Sequence, residues 1–259
     1  MKVSMMQPSF MPWQGFFDLI RQVDCFILLD DFQFSVQSYH QRNRLFVNPG
    51  QIDWYSVPVV KSVSFQAPLN KAKIDEKGPW RKKMWKRVEQ NYRKTPHYND
   101  LAGSLEKWLL QPWDNLADQN MAFIHWVCDL LGYTPEFRTS SRHPGAEERS
   151  LRVVELLKWA GGDSYYSARG SFEYMKEDGV FPLPDIPVYF QHFIPRPYVQ
   201  VGSPGQFVPY LSIVDALMNV GLAGTRDLIE NSNVGWSKWD DMVSVTANDY
   251  SSATEPTDV

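Results

Sequence analysis

Short apolar or β-prone runs occupy residues 3–7 and 25–30, and between them residues 15–23 carry Phe16, Leu19, Ile20 and Val23 at helical spacing. Runs of that length fit buried strands, and the i, i+3, i+4, i+7 recurrence fits a helix with one apolar face. A β-loop-α-β unit is therefore predicted at the start of the chain. Its loop holds Pro8 and Pro12, which oppose early helix, and Gly15, which eases the chain into one. Ligands of open parallel sheets settle at such strand-to-helix crossings.

A further strand is predicted at 54–60. The helix at 80–94 repeats Trp80, Met84, Val88 and Tyr92 on one face and stops at Thr95-Pro96. Helices at 101–110 and 116–131 follow, the second ended by Gly132, so the middle of the chain is helical. Alternation then returns, with a strand at 136–140, a helix at 147–160 stopped by Gly161-Gly162, and strands at 164–167 and 188–193. A Pro- and Gly-rich loop at 195–209 precedes a helix at 212–220, capped by Ser212 and closed by Gly221. The expected fold class is α/β: the N-terminal unit with a mixed or parallel sheet, a helical middle segment and a second α/β portion. One domain over 1–245 is expected, with 96–135 as the place for a subdivision, and 246–259 have the composition of a disordered tail.

With 259 residues, 43% of them hydrophobic, the chain can build a large core. No apolar run approaches the roughly 18–20 residues of a membrane helix, and Pro8 interrupts the start where a signal peptide would be apolar. A cytoplasmic protein without a membrane partner is expected. Cys25 and Cys128 sit in apolar stretches, as small hydrophobes in a reducing compartment do, and no Cys/His cluster has metal spacing, so no metal site is expected. Charge is uneven. Residues 71–94 hold ten Lys/Arg against Asp75, Glu76 and Glu89, a local +7 on a chain of net −4, which leaves −11 elsewhere. Such a field steers polyanions toward one face, although a plain solvated surface has the same composition.

Several polar groups fall at predicted strand ends. Gln7 follows the first strand and Asp30-Asp31, with Gln33, the second; parallel pairing would converge them on one cleft. Tyr39-His40-Gln41-Arg42-Asn43-Arg44 precedes an apolar strand, offering His40 as a base and guanidinium forks for an anion. Ser140-Ser141 and Tyr165-Tyr166-Ser167 also close strands, where hydroxyls and N–H groups suit an anion or sugar. Ser212, Asp215 and Asn219 share one side of a helix, either as a stripe facing the cleft or as a cap with a buried network. Walker, Gly-x-Gly-x-x-Gly and Gly-x-Ser-x-Gly motifs are absent.

In order, Gln7-Pro8, Pro12-Trp13, Gly15-Phe16-Phe17, Asp30 to Phe34, Arg42-Asn43-Arg44, the tract at 80–96, Ser140-Ser141, Tyr165-Tyr166-Ser167, Pro197-Tyr198-Val199-Gln200 and Leu211 to Asp215 resemble the WbqC-like protein family. The resemblance implies a bacterial protein of O-antigen or other surface-glycan biosynthesis, or of specialised metabolism. Ala168 departs from it where glycine is expected, as does the stretch at 144–149.

The leading expectation is transfer of an acyl or aminoacyl group to the amine of a small metabolite, such as a nucleotide-linked amino sugar. The donor would be a nucleotide or a charged tRNA. Asp30, Asp31 and His40 are the base candidates. Gln7, Gln33 and Asn43 would orient the substrate, and Arg42, Arg44 and Lys83 would meet its anionic part. Trp13, Ser140, Ser141, Tyr166, Ser167, Gln200 and Asp215 complete the candidate binding set. Nucleotidyl transfer or ATP-dependent ligation with Mg²⁺ on Asp30 or Asp31 is an alternative, as is a non-catalytic sugar-binding protein using Trp13, Tyr39 and Trp54. The sequence specifies no cofactor and no oligomeric state.

Overall fold

The structure is a computed structural model that describes residues 1–203 and 205–244; the expected tail at 246–259 lies outside the described residues. In chain order the first half comprises β1 (Lys2–Met6), α1 (Gln14–Arg21), β2 (Cys25–Leu28), β3 (Arg42–Asn48), β4 (Gln51–Ser56), α2 (Lys61–Ser64), α3 (Trp80–Tyr92), α4 (Tyr98–Leu110) and α5 (Leu116–Leu131). The second half comprises β5 (Glu136–Thr139), α6 (Arg149–Ala160), β6 (Ser164–Ser167), α7 (Phe172–Asp178), β7 (Val188–Phe193), α8 (Ile213–Ser232), β8 (Asn233–Lys238) and α9 (Trp239–Ser244).

Six strands form one sheet in the order β5-β2-β1-β6-β7-β8. All neighbours are parallel except the last pair, β7 and β8. The α/β expectation therefore holds. β2 reads Cys-Phe-Ile-Leu and is buried throughout, as a strand covered on both faces must be. Alternation splits its side chains between two cores. Phe26 and Leu28 join Phe16, Phe17, Ile20, Phe123 and Leu217 on one face, while Cys25 and Ile27 join Val3, Met5, Val153, Leu157 and Phe172 on the other. The helices at 98–131 contribute Leu105, Phe123 and Ile124 to the first of these cores.

Taken along the sheet, the strands run third, second, first, fourth, fifth, sixth in order of their appearance in the sheet. That is the doubly wound order, and it reverses direction between β1 and β6. At the reversal, connections leave to opposite sides and the carboxyl ends of the two strands bound a crevice.

Several elements differ from the sequence expectations. The strand expected at 54–60 lies at Gln51–Ser56 and pairs with Arg42–Asn48 as a separate antiparallel hairpin, because Pro49-Gly50 turns the chain and Pro58 has no N–H to extend the ladder. The helix from Ser212 does not end at Gly221: that residue (φ 69°, ψ −173°) interrupts it, and helix resumes to Ser232. β8, α7 and α9 are short elements without strong periodicity. No helix among the described residues is long and apolar enough to cross a membrane.

Gly221 combines a left-handed φ with a tight neighbour, since a Cβ there would lie 2.7 Å from the His97 ring. Gly221→Ala is expected to cost about 2 kcal/mol and lower Tm by about 5 °C in a thermal melt. An unchanged Tm would show that the break tolerates a side chain.

Candidate functional site

The crevice between β1 and β6 is a cavity of about 400 Å³, within the range of small-molecule sites. Gln7 and Ser9 enter it from the loop after β1, Gln33, Ser35 and His40 from the chain after β2, and Ser167, Ala168 and Ser171 from the end of β6. Met5, Leu29 and Val153 supply apolar wall. Gln7 Nε2 donates to the Gln33 carbonyl at 3.1 Å, joining the first two segments. Ser171 Oγ donates to Ala168 O at 2.7 Å and lies 2.6 Å from Ser167 Oγ. Tyr165 and Tyr174 also line the cavity. Burial pushes the Tyr165 phenol up to about 12 and that of Tyr174 well above its ordinary range, so both remain protonated donors.

His40 is buried, and desolvation pushes its imidazole down to about 4. It is neutral at physiological pH. The Ser35 N–H donates to Nδ1 at 3.5 Å, which leaves the ring proton on Nε2. Asn120 fixes the surrounding backbone, with Nδ2 donating to Pro8 O and His40 O at 2.8 Å each.

A second cavity of about 380 Å³ adjoins the first, sharing Phe32, Gln33 and Arg149. Asp31, Glu147 and Glu148 bring three carboxylates to it, against Arg149 and Arg152. Arg149 occupies the shared wall with φ +50°, a costly conformation for a side-chain-bearing residue, and its Nε bonds Asp178 Oδ1 at 2.9 Å. Arg152, 4% exposed, donates from Nη1 to Glu155 at 2.7 Å and from Nη2 to the Ser140 carbonyl at 3.1 Å and to the His143 carbonyl, and sits 3.5 Å from Asp31.

Asp30 and Asp31 differ. Asp30 Oδ1 accepts from Ser140 Oγ (3.2 Å) and Ser141 N (3.0 Å), and Oδ2 accepts from Ser141 Oγ (2.6 Å) and Asn70 Nδ2 (3.2 Å). Four donors fill its acceptor positions. Asp31 Oδ1 shares the Ser140 hydroxyl, while its carboxylate borders the second cavity. Ser140 thus touches both acids and Ser141 touches Asp30, and neither serine lines a cavity.

Other candidates lie elsewhere. Tyr166 faces away from the cavity onto Tyr189 and Trp236, because alternation sends Tyr165 and Ser167 to the opposite side. Trp13 packs edge-on against Phe193 and Tyr210. Asn43 Nδ2 donates to Phe10 O and Met11 O, holding the loop after β1. Arg42 and Arg44 lie over Trp54, and Lys83 is exposed on α3. Asp215 is sealed, accepting from Tyr92 (2.9 Å), Tyr198 (2.6 Å) and Gln200 (2.8 Å), with burial raising its carboxyl. The network at 212–219 is structural, fastening 198–208 to α8. Ser171, Tyr174, Arg149 and Arg152 line the cavities although no sequence motif points to them, and Tyr165 lines the first where the strand-end motif puts Tyr166 forward. An arginine interrupting the apolar stripe of α6 was the one available signal, at Arg152.

The fold and crevice define a doubly wound α/β protein with a two-chambered pocket at its switch point. Residues 7–227 match the WbqC-like protein family. The chain is 31% identical over 221 residues to the uncharacterized protein Rv1507c of Mycobacterium tuberculosis, covering 85% of this chain and 94% of that one. No solved structure matches it significantly. The chain belongs to the WbqC-like family.

The depressed pKa of His40 makes stability pH-dependent. The unfolded chain takes up the proton near pH 6.5 and the fold only near 4, so the unfolded state binds more protons between those values. Stability contributed by neutral His40 is present above about 6.5 and is lost as pH falls, by about 3 kcal/mol at most. Urea unfolding at pH 7 and pH about 4.5 should show a smaller loss in His40→Asn than in the parent; parallel losses would contradict the burial of the neutral ring.

Proposed function

We propose that the two chambers form one two-substrate site, which transfers an acyl or aminoacyl group to the amine of a small metabolite such as a nucleotide-linked amino sugar. The observation that carries this reading is the shared wall of Phe32, Gln33 and Arg149 between a chamber of neutral donors and one bearing three carboxylates. The acceptor enters the acidic chamber as an ammonium beside Asp31, Glu147 and Glu148. Asp31 takes a proton and frees the nitrogen lone pair. The acyl carbonyl lies in the neutral chamber, where N–H groups of His40 and Gln7 stabilise the oxyanion formed on attack. Collapse breaks the bond to the carrier, whose leaving atom receives the proton shed by nitrogen. Asp30, its acceptor positions filled, holds Ser141 and positions Asp31 through Ser140 rather than serving as base. A setting in surface-glycan or specialised biosynthesis, in the cytoplasm, accords with this chemistry.

Asp31→Asn should lower kcat about 100-fold or more, and His40→Gln by about 100-fold, with Tm little changed. Turnover is measured with an activated acyl donor and a panel of amino sugars, without ATP. Undiminished turnover in both variants would remove the assignment, and a strict ATP requirement with pyrophosphate release would favour ligation instead.

A further inference from the structure

A surface outside both chambers carries unclaimed cations. On β3, Arg42 and Arg44 are two residues apart and therefore on one face, and both guanidinium groups lie over the Trp54 ring of β4, at 4.1 and 5.9 Å from its centre. Neither forms an ion pair among the described residues, and the Nε of each is buried without a hydrogen-bond partner. Tyr39 meets the same indole at 5.4 Å. Arg87 of α3 donates to the Trp54 carbonyl at 3.1 Å and pairs with Asp53, tying the basic helix to this hairpin. Lys83 lies one turn before Arg87 on that helix, with Lys86 beside it, and both are exposed. The excess of +7 at 71–94 is thus continuous with a fixed cation-aromatic cluster on a chain of net −4. Solubility alone does not call for guanidinium groups held against an indole.

We propose that Tyr39, Trp54, Arg42, Arg44, Lys83 and Lys86 bind a single-stranded polynucleotide. Cationic side chains track its phosphates, and aromatic faces accept its bases without selecting sequence. Tyr39 touches the patch, and its chain neighbour His40 lines the neutral chamber, so the two sites meet at adjacent residues. That the strand carries the transferred group, as an aminoacylated RNA does, rests on the function proposed above; binding itself does not.

The test is fluorescence anisotropy of a labelled single-stranded RNA, with DNA of the same sequence and heparin as further arms, on the whole chain. About four phosphate contacts give a salt slope near −3, hence about 50-fold weaker binding between roughly 50 and 200 mM salt. The double variant Lys83→Gln, Lys86→Gln should lower that slope by about 1.4, and Trp54→Ala should weaken RNA about tenfold while leaving heparin unchanged. Lys158→Gln, on α6 at the opposite sheet face, should match the parent. Tighter binding of RNA or of DNA identifies which polynucleotide is the ligand. Absent binding at low salt, an unaltered slope in the lysine variant, or equal loss of heparin and RNA in Trp54→Ala would overturn the proposal. Because the assay reads no turnover, its failure with acyl transfer intact removes this surface alone, and failed transfer with intact binding removes only the proposed reaction.

Discussion

The carboxylate of Asp30 fastens the end of β2 to the turn after β5, and the geometry of both chambers depends on that clamp. Parallel strands emerge from a sheet with their last carbonyls unpaired, and the segments that follow would diverge. Four donors from Ser140, Ser141 and Asn70 bring two further segments onto one carboxylate. Hydrogen bonds to a charged group contribute about 1.5–3 kcal/mol each when buried and well aligned. Asp31 inherits its position from the same turn, through the Ser140 hydroxyl, and Arg152 supports the turn from below by bonding the carbonyls of Ser140 and His143.

Against this clamp the crossover of strand order opens space. Because β6 lies on the far side of β1 from β2, the loop at 7–13 and the turn at 168–171 leave in different directions, and the first cavity lies between them. Hydroxyls, amides and a neutral imidazole line the resulting chamber, and burial keeps its titrating groups uncharged. Charge is confined to the adjoining chamber and to Arg149 between them. This separation suits a reaction in which a cationic amine must approach a polarised but neutral carbonyl.

Much of this was legible in the sequence. The convergence of Gln7, Gln33 and the Asp30-Asp31 pair on one sheet edge followed from two short apolar runs flanking a helical one, since parallel pairing leaves little other choice. Period-two alternation contained the distinction between Tyr165 and Tyr166, but the side facing the crevice depends on where β7 and α7 pack, which no local pattern states. Asp215 illustrates a harder limit: its donor Tyr92 is 123 residues away, and whether a helical acid meets solvent, ligand or buried phenols is decided by that distant helix. Likewise Arg42 and Arg44 look like loop cations until β4 places Trp54 beneath them.

In the proposed reaction, the crevice between β1 and β6 and its acidic neighbour hold the reacting partners together. A crystal structure of the chain soaked with a uridine-diphosphate-linked amino sugar is the decisive experiment. The sugar amine is expected within hydrogen-bonding distance of Asp31, with the rest of the ligand running past Gln33 and Arg149. Density at a site remote from both chambers, or chambers left empty at saturating ligand, would contradict it.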